Sequence, residues 1–176
     1  MRNVVLIGFM GTGKTSTGKM LAAKLGAAFI DMDQKIEEEA GMSIPDMFAR
    51  KGEAYFREQE RALVKRLAAR RNAVISTGGG TVKNPDNVAD FKKSGVIVCL
   101  SASVDAVLAR TNRRGTRPVL DGADQGDRRK AVEQLMAERR ELYKQADYTI
   151  DTSELSPLLV VENIVRFLKT RGVLHA

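Results

Sequence analysis

The stretch IGFMGTGKTSTGK, residues 7–19, follows the apolar run NVVLI at 3–7 and carries four glycines and two lysines. Gly8, then four residues, then Gly13-Lys14-Thr15 fits the pattern G-x-x-x-x-G-K-[ST]. The apolar run reads as a short buried strand, and residues 14–25 read as a helix that Gly26 stops. The pattern therefore stands at a strand-to-helix junction, the context its chemistry requires. Glycines let backbone N–H groups turn inward around a phosphate chain, and the helix start adds partial positive charge. Lys14 can reach the outer phosphates, and the Thr15 hydroxyl can join the coordination of Mg²⁺. A nucleoside triphosphate with Mg²⁺ is the expected ligand.

Working outward, AAFID (27–31), AVIS (73–76), GVIVCLS (95–101) and DYTID (147–151) are further short strands rich in branched or aromatic residues. Between them, helices are expected at 34–40, 53–70, 85–94, 103–110, 128–145 and about 156–170, with Ser43 and Pro45 starting a further turn before Gly52. The polar, glycine-rich stretch 112–127 is expected to be a mobile loop. Alternation of this kind predicts an α/β fold in which five parallel strands carry helices on both faces. Ligands in such sheets sit at the carboxyl ends of the strands, so the loops at 8–14, 31–33 and 76–80 matter most.

Bulk properties bound the rest. The 176 residues suit one domain, 43% hydrophobic and 29% charged. One cysteine, Cys99, excludes a disulfide within the chain and reads as a core residue in a reducing compartment. No apolar run approaches the ~20 residues of a membrane span, and MRNVVLIG lacks the features of a signal peptide. A cytoplasmic protein is expected. The net charge of +7 favours anionic partners, but with 5% aromatics and no tryptophan there is little to stack nucleic-acid bases on. No nucleic-acid or membrane partner is expected, and a lone domain of this size reads as a monomer.

The acids that follow the second strand, Asp31 and Asp33, lie two apart. In an extended segment both carboxylates would point the same way, Asp31 towards the metal and Asp33 towards an acceptor hydroxyl, as a hydrogen-bond acceptor and general base. Asp33 could equally cap a helix at 34. Thr77-Gly78-Gly79-Gly80 allows a ligand close to the backbone, or is a plain loop. Arg57 has Glu60 three residues on, which by itself is only a surface ion pair. Ala131, Leu135, Arg139 and Leu142 share one helical stripe, whereas Arg140 falls with Glu133, Ala137 and Lys144. Arg139 therefore points inward and needs an anion, either a ligand or a buried partner. Arg117, beside Pro118 in the loop, could close over a triphosphate and steady the charge on the transferring group. The only histidine, His175, is next to the last residue, which excludes histidine-based catalysis.

Taken together, GFMGTGKTSTGK, the acids of DMD, IEEEAGMSIPDMFARKGEAYFREQE, STGGG, TRPVL and a late helix with R-x-x-x-Y before A-D resemble the shikimate kinase family over nearly the whole chain. The phosphate loop alone is shared with adenylate and gluconate kinases; G-E-x-x-F-R-x-x-E with T-G-G-G and R-P is far more specific. The resemblance implies a single kinase domain over 1–176 with the fold of nucleoside-monophosphate kinases. Within it, the phosphate loop is 8–15, the substrate-binding region about 31–61 and the lid about 112–124. It implies transfer of phosphate from ATP to shikimate, giving shikimate 3-phosphate and ADP on the route to chorismate and aromatic amino acids. Substrate contacts then fall on Asp33, Arg57, Gly79, Gly80 and Arg139, with Gly78 beside them. Phosphate and metal ligands fall on Gly11, Thr12, Gly13, Lys14 and Thr15, with Ser16 adjoining, and on Asp31; Thr15 and Asp31 hold Mg²⁺. The lid arginine is Arg117, and adenine lies between Arg110 and Pro157. Catalytic roles go to Lys14, Asp33 and Arg117. The late helix reads Arg139-Arg140-Glu141-Leu142-Tyr143 where the family often has R-x-P-L-Y, so the helical stripe is what selects Arg139. Gluconate, which also has a carboxylate and hydroxyls, is the competing acceptor; a nucleotide-gated nucleic-acid module is the competing class.

Overall fold

A computed structural model describes residues 1–111 and 125–174. Its elements in chain order are β1 (Asn3–Gly8), α1 (Lys14–Leu25), β2 (Ala28–Asp31), α2 (Met32–Ala40), α3 (Ile44–Lys51), α4 (Glu53–Ala68), β3 (Ala73–Ser76), a 3-10 turn (Thr81–Lys83), α5 (Pro85–Ser94), β4 (Gly95–Ser101), α6 (Val104–Arg110), α7 (Gln125–Tyr143), β5 (Tyr148–Asp151) and α8 (Pro157–Thr170). Among the described residues, five strands make one parallel sheet in the order β2-β3-β1-β4-β5.

The two-residue period of the strands sorts the core into two layers. Val5, Ile7, Ile75, Ile97 and Cys99 face one side and pack with Met32, Met47, Phe56, Leu63 and Phe91 from α2 to α5. Val4, Leu6, Val74, Val98 and Leu100 face the other and pack with Leu21 of α1 and Val161, Ile164 and Leu168 of α8. A smaller cluster around Phe9, Val107 and Val132 joins α6 and α7 at the carboxyl edge of the sheet. Cys99 lies in the first layer as expected, and burial pushes its thiol up to about 11. No helix of the described residues is long and apolar enough to cross a membrane.

The expected strands and helices are all present, with shifted ends. Helix α4 stops at Ala68, two residues early, and α7 starts at Gln125, so residues 125–127 are helical where a loop was expected. The largest departure follows β2. Helix α2 begins at Met32, and its N-cap is Asp31, whose side chain accepts a hydrogen bond from the Gln34 N–H. Asp33 is inside the first turn; it is neither an extended residue nor the cap. The sheet decides this, because Asp31 is the last β2 residue paired to β3, opposite Ser76. The chain turns helical only after that pair, and the residue left at the boundary caps.

Candidate active site

The loops after β1, β2 and β3 meet in one cleft of about 950 Å³. Its wall includes Gly11, Thr12, Gly13, Lys14, Thr15 and Ser16, then Asp31 and Asp33, then Gly78 and Gly79, and finally Arg110 and Pro157. Arg57, Gly80 and Arg139 are not in that wall; they join it through the glycine turn. Arg117 and the expected lid at about 112–124 lie outside the described residues, as does His175.

The phosphate loop has the conformation its glycines permit. Gly8, Gly11 and Gly13 all have positive φ, and a Cβ on Gly8 would lie 2.2 Å from the Leu100 carbonyl oxygen. Lys14 Nζ donates to the carbonyls of Gly8 (2.7 Å) and Phe9 (3.0 Å), which keeps the ammonium folded across the loop. Thr15 Oγ1 donates to Asp31 Oδ2 at 3.2 Å. A hydroxyl and a carboxylate at that separation are hard oxygen donors beside a phosphate cradle. The set fits Mg²⁺, which binds through one or two protein oxygens and otherwise water and phosphate.

At the far end of the cradle, Arg110 crosses from α6 and donates to the carbonyl of Gly11 (3.2 Å), to Thr152 Oγ1 (3.0 Å) and to the Thr152 carbonyl (2.6 Å). Thr152 in turn donates from its hydroxyl to the Thr12 carbonyl and from its N–H to the Ser101 carbonyl. Sequence reading missed Thr152; the available signal was its place just after the fifth strand, on the same carboxyl edge. Pro157 opens α8 next to it, so Arg110 and Pro157 border one part of the cleft.

The acceptor side is organised by Gly78, Gly79 and Gly80. Each has one functional side chain laid against its Cα. A Cβ on Gly78 would lie 2.7 Å from Asp33 Oδ1, one on Gly79 3.0 Å from an Arg139 terminal nitrogen, and one on Gly80 2.7 Å from an Arg57 terminal nitrogen. Close approach, and not an unusual φ, is what glycine permits here. The three side chains come from α2, α7 and α4, and meet only because this turn has no side chains of its own.

Their electrostatics differ. Asp33 Oδ1 is buried without a protein hydrogen bond. Burial, and then the neighbouring charges of Asp31 and Glu60, push its carboxyl up to about 6, against the pull of Lys14. Arg139 is 8% exposed, and its Nε and one terminal nitrogen have no partner; its guanidinium lies 5.6 Å from the Phe9 ring. Arg140 and the other polar-stripe residues are exposed, so Arg139 is the one of the two arginines that points inward. The expected pair of Arg57 with Glu60 is present at 3.0 Å, but Glu60 is 2% exposed, so this is no surface ion pair. Tyr143, one turn beyond Arg139, donates from its hydroxyl to the Gly79 carbonyl at 3.0 Å and fixes the turn from α7. Burial raises the Tyr143 phenol to about 12, with the Arg139 charge working the other way. Sequence reading quoted this tyrosine but gave it no role.

Gly80→Ala tests the geometry. Its new methyl meets only the far end of a flexible side chain, so Arg57 swings away and the fold stays intact. Affinity for shikimate, the acceptor that the resemblance implies, is expected to fall about tenfold with the melting temperature within about 2 °C of wild type. An unchanged affinity in titration calorimetry would refute the close approach.

Residues 10–169 match the family model described as "Shikimate kinase". A curated shikimate kinase from Pelotomaculum thermopropionicum is 44% identical, covering 99% of this chain and 100% of its own length. One from Thermodesulfovibrio yellowstonii is 43% identical over 94% of each. Among solved structures, "Shikimate kinase from Acinetobacter baumannii in complex with shikimate" superposes with a TM-score of 0.91 at 33% identity, covering 97% of this chain and 94% of that one. A family model spanning nearly the whole chain, full-length relatives above 40% identity and a shared fold agree with the geometry of the site: this chain belongs to the shikimate kinase family.

Proposed function

We propose a division of labour among these residues for the family's reaction. The chain is an ATP-dependent kinase whose acceptor is shikimate: the 3-hydroxyl takes the γ-phosphate, leaving shikimate 3-phosphate and ADP in aromatic amino acid biosynthesis. The observation that carries the assignment of roles is the glycine turn, which gathers one base and two arginines opposite the phosphate loop.

In this reading, Arg57 and Arg139 bind the shikimate carboxylate by charge-assisted hydrogen bonds. The unpartnered nitrogens of Arg139 supply donors that the protein itself leaves unused. Gly78, Gly79 and Gly80 admit the ring close to the backbone. Asp33 accepts a hydrogen bond from the acceptor hydroxyl and takes its proton as the O–P bond forms. A carboxylate with a proton affinity near 6 is mostly ionised at neutral pH and still basic enough to serve. The N–H groups of Gly11 to Ser16 hold the phosphates, with Lys14 at the outer ones. Arg110 and Pro157 flank the adenine, and Arg117 remains our assignment for the lid. Thr15 and Asp31 would hold Mg²⁺, which when bound neutralises charge on the phosphate oxygens. Catalysis is then positioning and electrostatics, as expected for phosphoryl transfer.

We read the enzyme as cytoplasmic and monomeric. One buried cysteine supports the first. For the second, the large exposed apolar side chains of the described residues are limited to Met20, Phe48, Leu158 and Leu159; sedimentation velocity measures the state directly.

The deciding assay is ADP release at fixed MgATP with shikimate, gluconate, AMP or no acceptor. Turnover with shikimate alone is expected. Turnover with gluconate or AMP in its place would keep the phosphate loop and discard the acceptor assignments.

A further inference from the structure

Glu60 is a carboxylate 2% exposed in the middle of α4. A charge buried this deeply needs donors on both oxygens, and they come from different parts of the chain. Oε1 accepts from Arg57, one helical turn back, at 3.0 Å. Oε2 accepts from the hydroxyl of Thr81 at 2.8 Å. Thr81 is the first residue of the 3-10 turn, directly after Gly80, and is 1% exposed. It is itself held firmly. Its N–H donates to the Gly78 carbonyl (3.3 Å), and its carbonyl accepts from Asn87 Nδ2 (3.0 Å). Asn87 Oδ1 accepts from Arg61 (3.1 Å), which is paired with Asp90 (2.8 Å).

We propose that Thr81 is a positioning residue for acceptor binding: its hydroxyl orients the buried Glu60 carboxylate so that Glu60 aims Arg57 at the acceptor's own carboxylate. The inference rests on the assignment of Arg57 as a carboxylate ligand and extends it to a residue that touches no substrate. With Thr81 in place, only Oε1 is offered to Arg57, and the guanidinium lies over Gly80. Without that hydroxyl, Oε2 is left buried and unfilled. Among the described residues the other hydrogen-bond donor to this carboxylate is the same guanidinium, which also lies 3.6 Å from Glu53 Oε1; the carboxylate then rotates to take both of its hydrogen bonds from Arg57 and draws it back along α4. Because Thr81 also closes the turn of residues 78–81, one side chain registers the arginine against the glycines it must lie beside.

The test is a double-mutant cycle on shikimate affinity, read by titration calorimetry on the full chain. Thr81→Val keeps the volume and removes the hydroxyl. It is expected to raise the shikimate Kd about five- to tenfold and leave the ATP Kd within about twofold. Thr81→Ser, which restores the hydroxyl, should return the shikimate Kd to within about twofold of wild type. In an Arg57→Ala background, Thr81→Val should add nothing. If Arg57→Ala itself leaves shikimate binding unchanged, the reading of Arg57 fails and this inference with it. If Arg57→Ala weakens binding but Thr81→Val does not, the inference alone is overturned. It is also overturned if the serine and valine variants are alike, or if valine weakens binding equally in the Arg57→Ala background. Should the valine variant not fold, Thr81→Ala is read by the same criteria.

Discussion

Asp33→Asn is expected to lower kcat by about 10²- to 10⁴-fold and at the same time to make the protein more stable. The two effects have one origin. Asp33 is buried among Asp31, Glu60 and Glu37, with only the Lys14 charge in its favour, and its carboxyl is pushed up to about 6. The ordinary value in an unfolded chain is 3.8, so the folded state binds this proton more tightly than the unfolded state does. Stability from this group is therefore fully present below about 3.8 and is lost as pH rises through about 6. At pH 7 the ionised form costs the fold about 2–3 kcal/mol, and a neutral amide in the same space avoids that cost. The melting temperature of Asp33→Asn should exceed that of wild type by about 5 °C at pH 7, a gap that narrows towards pH 5. The same group sets a pH profile of acceptor binding: without nucleotide or metal, shikimate affinity should rise with pH through about 6, where Asp33 ionises. Equal melting temperatures at pH 7, or a flat profile between pH 5 and 7, would remove Asp33 from this role.

Arg139→Met should raise the shikimate Kd about 100-fold, leave ATP affinity within about twofold, and either preserve or increase stability. Arg139 is 8% exposed, with two of its nitrogens unsatisfied. A buried guanidinium in that state is a burden on the free protein. It is relieved only when an anion arrives, so its interaction energy appears in binding and not in folding. Methionine fills similar space beside Phe9 and has no charge to bury. A large loss of stability with little change in shikimate affinity would show Arg139 to be a structural pair of the fold. The neighbouring Arg140, which is exposed, is the natural control.

The sequence was legible where a single local rule decided the outcome. The phosphate loop needed only the spacing of Gly8, Gly13, Lys14 and Thr15 and the strand before it. The end of α1 followed from Gly26, which adopts the left-handed conformation that stops a helix. The direction of Arg139 followed from the 3.6-residue period. Where two local rules competed, the choice was made at a distance. Asp31 and Asp33 can both cap, and pairing of Asp31 with Ser76 across the sheet selected the first. Glu60 looked like half of a surface pair because nothing near it in sequence announces Thr81, 21 residues on. Glu37 reads as one acid in an acidic run, yet its carboxylate accepts from the Ile44 N–H at 2.8 Å and ties α2 to the start of α3. The Asp31 and Glu60 contacts depend on chain segments that meet only after the sheet is assembled, and the Glu37 contact on the turn that folds α3 back onto α2.

The strand order has a bearing on how this enzyme tolerates change. Strand β3 separates the strand that feeds the phosphate loop from the strand that feeds Asp31 and Asp33, and Leu6, Ser76 and Asp31 stand in one row across the sheet. Neighbouring strands are about 4.8 Å apart because backbone hydrogen bonds set the gap, so the donor and acceptor tracks are separated by about 10 Å of main chain. The sheet is thus a ruler whose graduations contain no side-chain atoms. Substitutions among the apolar residues above and below it change how firmly the ruler is clamped, and leave its length alone. Evolution and engineering can therefore tune the heat resistance of this core over a wide range while the spacing of the strands that carry the phosphate loop and the two aspartates stays the same.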